Sequence, residues 1–134
     1  MGLDIQIKGL SREDTYHAGY MKFANYRIKV AKAFNKTIGE IYEKPYLNCG
    51  YKFSENDLKQ WNKILPDENF AMNKFLWHSD CDGKFTSKEC KEIYDILKKL
   101  NVEETYYSYK YTMHELWLNM FKYCYKHRVN MWFY

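Results

Sequence analysis

The stretch from His78 to Glu89 reads H-S-D-C-D-G-K-F-T-S-K-E and sets a histidine, a cysteine and three carboxylates within twelve residues. Laid on the twelve-residue calcium loop, Asp80 and Asp82 take the third and fifth positions and Gly83 the turn. Thr86 takes the ninth position and Glu89 the bidentate twelfth. His78 stands where that loop opens with Asp, and a hard ion that selects oxygen is poorly served by neutral imidazole. No second loop of this kind follows. The same letters also describe a structural turn. Asp82-Gly83 is a turn dipeptide, Thr86 with Glu89 forms a capping box, Phe85 is a core anchor, and Asp80 can brace the turn by accepting backbone N–H groups. The structural turn is the first expectation, and a calcium site on Asp80, Asp82 and Glu89 the second. Zinc held by His78, Cys81, Cys90 and His17 is a weaker third, because no second close ligand pair accompanies H-x-x-C. Cys81 beside His78 or His17 has the atoms of a nucleophile and base, but no third residue orients the base. Phosphate-loop, dinucleotide and hydrolase motifs are absent, so a non-enzymatic role is the expectation.

A second group is aromatic: Tyr106, Tyr107, Tyr109 and Tyr111, with Lys110 among them. Tyrosines at this spacing cannot share one helical face, so some are expected at the surface as a partner site or a platform for a nucleotide-like ligand. Packing at the core boundary is the competing account.

The elements that carry these groups follow from periodicity. Leu3, Ile5 and Ile7 alternate with polar residues and predict a strand with one buried face. Tyr20, Ala24, Ile28, Ala31 and Phe34 predict a helix from about 17 to 35. Residues 37–53, punctuated by Pro45 and Gly50, read as a loop with a helical turn at 38–42. Ser54 caps a short helix through Asp57, Leu58 and Trp61 that closes at Pro66, and another short helix covers 69–77. Thr86 and Glu89 start a helix carrying Cys90, Ile93 and Leu97. The longest helix is expected from about 103 to 127, and Val129, Met131 and Phe133 alternate as a last strand. The expected fold is α+β and mostly helical. Four to five helices pack on a small sheet formed by the N- and C-terminal strands, in one domain, 1–134.

Composition narrows the partners. The 134 residues carry a formal charge of +4, a mild excess made mostly of dispersed lysines, so nucleic acid is not the expected partner. No apolar run approaches the roughly 20 residues of a membrane helix, and the N-terminus lacks a signal-peptide core. Four widely spaced cysteines in such a chain read as reduced thiols, which predicts a cytoplasmic protein. Aromatic residues reach 19%, more than a helical core of this size demands.

Three motifs then act together: the opening MGLDI; Tyr16-His17-Ala18-Gly19-Tyr20 running into Phe23 and Arg27; and HSDCDG with Cys90 beyond it. In this order and spacing the chain resembles a widespread family of small bacterial and phage proteins with an MGLD start, a YHAGY helix start and an HSDCDG turn. The motifs span the first ninety residues. The resemblance implies a phage or mobile-element source in a bacterial host and a site, but not a reaction. If the motifs meet, Tyr16, His17, Arg27, His78, Asp80 and Asp82 would share a polar pocket for a ligand. The expected role is a binding protein that sequesters or blocks a host component, in an anti-defence or accessory capacity. The alternative is a metal-binding module or metal-dependent enzyme centred on HSDCDG.

Overall fold

Alternation builds the sheet as the sequence predicts. In the computed structural model, which describes residues 2–134, strand β1 (Leu3–Ile7) buries Leu3, Ile5 and Ile7 and exposes Asp4 and Gln6. It pairs antiparallel with β4 (Met131–Phe133), Ile5 opposite Phe133 and Ile7 opposite Met131. Two short strands extend this pair. β2 (His17–Ala18) joins β1, with His17 opposite Asp4, and β3 (Lys84–Phe85) joins β4, giving the order β2-β1-β4-β3. The four-stranded sheet is therefore wider than the terminal pair alone, and His17 lies in a strand rather than in the first helix.

Six helices stand among the described residues, one or two more than expected: α1 (Tyr20–Phe34), α2 (Lys36–Leu47), α3 (Glu55–Ile64), α4 (Ala71–Trp77), α5 (Ser87–Leu97) and α6 (Met113–His127). The additional one is α2, where a loop was expected. Asn35 starts it by accepting the Ile38 N–H on its side chain, and Pro45 falls in its last turn. A proline there removes one backbone hydrogen bond near an end that frays in any case, so it does not break the helix. The opposite correction applies to α6, which begins ten residues later than expected because Thr112 and Glu115 close a capping box at 112. Residues 103–112, with their tyrosines, form a loop.

The core lies between the sheet's buried face and the helices. Trp117 of α6 is fully buried, stacked on Phe23 of α1 at 4.8 Å, with Phe75 of α4 at 6.2 Å and Phe133 of β4 at 6.4 Å. One central indole thus ties three helices to the sheet. Among the described residues no helix is long and apolar enough to cross a membrane.

Candidate functional site

The sheet order decides what becomes of the predicted pocket. β2 and β3 occupy opposite edges, so His17 on β2 and the turn that leads into β3 are held apart. Tyr16 is fully buried, its hydroxyl donating to the Gly19 carbonyl at 2.8 Å and its ring 5.5 Å from Trp117. His17 places one ring nitrogen 2.5 Å from Asp4 Oδ1 and the other 2.7 Å from the Thr15 hydroxyl. The hydrogen bond from His17 holds the Asp4 carboxyl below its ordinary range. The six residues do not form one cluster: His17 lies on the β2 edge and His78, Asp80 and Asp82 in or beside the turn leading to β3, while Arg27 on α1 stands between, over the Phe23 ring that also packs against the buried Tyr16.

Arg27 and His78 do meet, for a structural purpose. The Arg27 guanidinium is buried, and its Nη1 donates to the carbonyls of Phe75, Leu76 and His78 at 3.3, 3.1 and 2.7 Å. These are the orphan acceptors at the C-terminus of α4, where a cation also complements the helix dipole. His78 sits 4.2 Å from the Phe85 ring and 4.3 Å from the Phe133 ring. Its nitrogens face the carbonyls of Ser79 and Lys84 at 2.7 and 3.1 Å; a neutral ring carries one N–H and donates to one of them, and only an imidazolium donates to both. Gly83 holds a φ of +84°, which a side chain would strain.

Glu89 is committed as well. Its Oε1 accepts the Thr86 N–H at 2.9 Å and its Oε2 pairs with Lys74 at 3.2 Å. Burial raises its pKa, but those partners outweigh it and the carboxyl titrates below its ordinary value. Asp80 is half-buried, Asp82 and Cys81 are exposed, and Cys90 is buried. Among the described residues no three His, Cys, Asp or Glu side chains gather as a metal site.

The tyrosine run divides in two. The Tyr107 hydroxyl accepts the His17 N–H at 2.8 Å, and Tyr111 donates to Asp14 Oδ1 at 2.6 Å, so both are half-buried pins. Tyr106 and Tyr109 stay exposed, Tyr109 touching only Glu13 through its hydroxyl at 3.1 Å among the described hydrogen bonds. Lys110 adds an ion pair to Asp14 at 2.6 Å. The loop is thus latched onto the 3₁₀ turn Arg12–Asp14.

A different concavity, which the sequence reading missed, lies across α2, α3 and α4. It is a groove of about 970 Å³ with Trp61, Trp77, Phe53, Leu58 and Leu65 along its apolar lining, and Asn62, Asp67, Glu68, Lys74 and Glu89 among its polar groups. Trp77 is 50% exposed and Leu58 51% exposed. The Trp77 ring lies 5.1 Å from Tyr42, 5.2 Å from Trp61 and 5.8 Å from Phe53. Below them Asn73 is engaged at both ends of its amide: its Oδ1 accepts Trp61 Nε1–H at 2.9 Å and its Nδ2 donates to the Leu65 and Asp67 carbonyls. Asp57, only 2% exposed, fastens the wall by accepting from Lys44 at 2.5 Å, from the Tyr51 hydroxyl and from the Ser54 N–H. The Lys44 bond first, and then Tyr51, hold its carboxyl far below the ordinary range. One signal for this groove was available. Phe75, Leu76 and Trp77 are consecutive, and a helix turns 100° per residue, so three large apolar neighbours cannot all face one core.

No protein-family model, no curated protein and no solved structure matches this chain.

Proposed function

We propose that this chain is a binding protein whose capture site is the groove of α3 and α4, acting by occupying a partner rather than by transforming a substrate. The observation that carries this reading is Trp77, half exposed beside Trp61, Phe53 and Leu58. Leaving that much aromatic and aliphatic surface in water forgoes hydrophobic stabilisation at about 25 cal/mol per Å², and such patches mark binding sites. The family resemblance extends the reading to a phage or mobile-element protein in the bacterial cytoplasm that sequesters or blocks a host component.

The test starts from a protein captured from bacterial lysate, which is then purified and titrated against the wild-type chain and two variants, Trp77→Ser and Leu58→Ser. An aromatic anchor at the centre of a binding site is worth about 2 kcal/mol or more, so Trp77→Ser is expected to weaken the complex by at least about 30-fold. Its melting temperature should fall by only a few degrees, as for loss of a half-exposed side chain. Full affinity in both groove variants, with loss in Tyr106→Ala or Tyr109→Ala, would overturn the reading and move capture to the tyrosine loop.

A further inference from the structure

The groove's polarity is arranged in a way that specifies its occupant, given the reading of it as the capture site. The buried polar groups of its floor are already paired. Trp61 Nε1–H and both ends of the Asn73 amide are already engaged, so what faces the cavity there is ring and methyl surface. A ligand rich in hydroxyls would leave polar groups unpaired against that floor, whereas aliphatic or aromatic side chains would not.

The rim has the opposite character. Asp67, Glu68 and Glu89 line it against a single ammonium, Lys74, and that ammonium is spent on Glu89 at 3.2 Å. Neither Asp67 nor Glu68 forms an ion pair among the described residues, while the chain as a whole carries +4. A cationic partner is therefore attracted at this mouth on a chain whose net charge is positive, which favours one docking orientation. Trp77 adds exposed aromatic surface, set at 86° to Phe53 and 51° to Trp61, on which an ammonium or guanidinium can rest. A second copy of the chain fits poorly, since a two-fold contact through this groove would bring one acidic rim toward another.

We infer that the groove takes a basic amphipathic peptide segment: large apolar side chains on its floor, with Lys or Arg beside them against Asp67 and Glu68. Such a segment would belong to a partner protein, and its apolar residues and its cations would contribute separately.

Three synthetic peptides of equal length separate the two contributions: one of Leu and Lys in amphipathic spacing, one with Glu replacing Lys, and one with Ser replacing Leu. Binding is followed by tryptophan fluorescence and calorimetry. The Leu/Lys peptide is expected to bind one per chain, at least about 10-fold more tightly than the Leu/Glu peptide, with the Ser/Lys peptide weaker than both. In a doubly substituted chain, Asp67→Asn with Glu68→Gln, the Leu/Lys affinity should fall about 5-fold or more and lose much of its salt dependence. Both positions lie on the connection between α3 and α4, and a melting curve checks that this variant folds. Equal affinity for the Leu/Lys and Leu/Glu peptides, or no change in the double variant, would overturn the inference. Leu/Lys binding that survives Trp77→Ser would overturn it too, by placing the peptide elsewhere. If the captured protein still depends on Trp77 while the peptides show no preference for Lys, the capture reading stands and only the basic occupant is lost.

Discussion

Trp117 and Trp77 anchor two aromatic clusters built from similar side chains in opposite surroundings. Trp117 has none of its surface exposed and lies among Phe23, Tyr26, Phe75 and Phe121, which come from three helices. Trp77 stands at the last turn of α4, half exposed, with Tyr42, Phe53 and Trp61 around it. Hydrogen bonding also differs. Trp117 Nε1 is buried without a partner among the described residues, while Trp61 Nε1 beside Trp77 is bonded to Asn73. An unpaired buried donor costs about 1–3 kcal/mol, a cost that dense ring packing in the core outweighs. The groove has no comparable packing on its open side, and its one buried indole N–H is satisfied. High aromatic content thus serves two ends here: one cluster holds the sheet to the helices, and the other leaves surface available.

Truncating each indole in turn separates the two clusters by the largest margin. Trp117→Ala should destabilise the fold by about 3–5 kcal/mol, the range for a fully buried aromatic replaced by a methyl group. Trp77→Ala should cost about 1 kcal/mol, since half of its surface already meets water. Denaturant unfolding of the two variants measures the difference. Equal losses would mean that Trp77 is a core residue and the groove is closed in solution.

How far each region could be read from sequence follows from how local its causes are. The β1 alternation, the spacing of Ile93 and Leu97, the Ser54 cap and the Thr86–Glu89 box are all set by residues close in sequence, and all appear as expected. Pro45 misled because its position within a helix, not its presence, decides whether the helix survives. The late start of α6 was legible in Thr112 and Glu115, but the charged and aromatic residues before them resembled helix. The shared pocket failed for a non-local reason. Nothing in the spacing of YHAGY and HSDCDG states that their strands take opposite edges of one sheet. The groove was the least legible, because its lining comes from positions between 41 and 89 and exists only once three helices have docked.

A smaller effect is expected from Asp57, which joins α2, α3 and the segment leading to Phe53. Asp57→Asn keeps the shape and removes the charge that Lys44 and Tyr51 hold, and should cost about 1–2 kcal/mol at neutral pH. The sign with pH follows from the lowered pKa. The stabilisation is complete above the ordinary value of 3.8 and is lost as the pH falls through the lower folded value. Melting temperatures of the wild type and the variant should therefore differ at neutral pH and converge in acid. A gap that persists undiminished in strong acid would show that shape, not charge, holds the wall. Faster hydrogen exchange around Phe53 in the variant, with no change around Trp117, would sharpen the distinction between the two clusters.

The smallest effect is expected where the two regions adjoin, at Glu89, which lines the groove and caps α5. Glu89→Gln retains an acceptor for the Thr86 N–H, because glutamine serves in a capping box, and loses only the ion pair to Lys74. A pair of that partial exposure is worth up to about 1 kcal/mol, so the melting temperature should drop slightly. The drop should be the same in millimolar calcium and in chelator, because both carboxylate oxygens already have partners within the chain. Calcium that raises the melting temperature of the wild type and not of Glu89→Gln would reverse this account and make the turn an ion site. With no such difference, the resemblance of HSDCDG to a calcium loop reduces to what a tight turn followed by a capped helix needs: a glycine at positive φ, a short hydroxyl side chain and a glutamate one turn on.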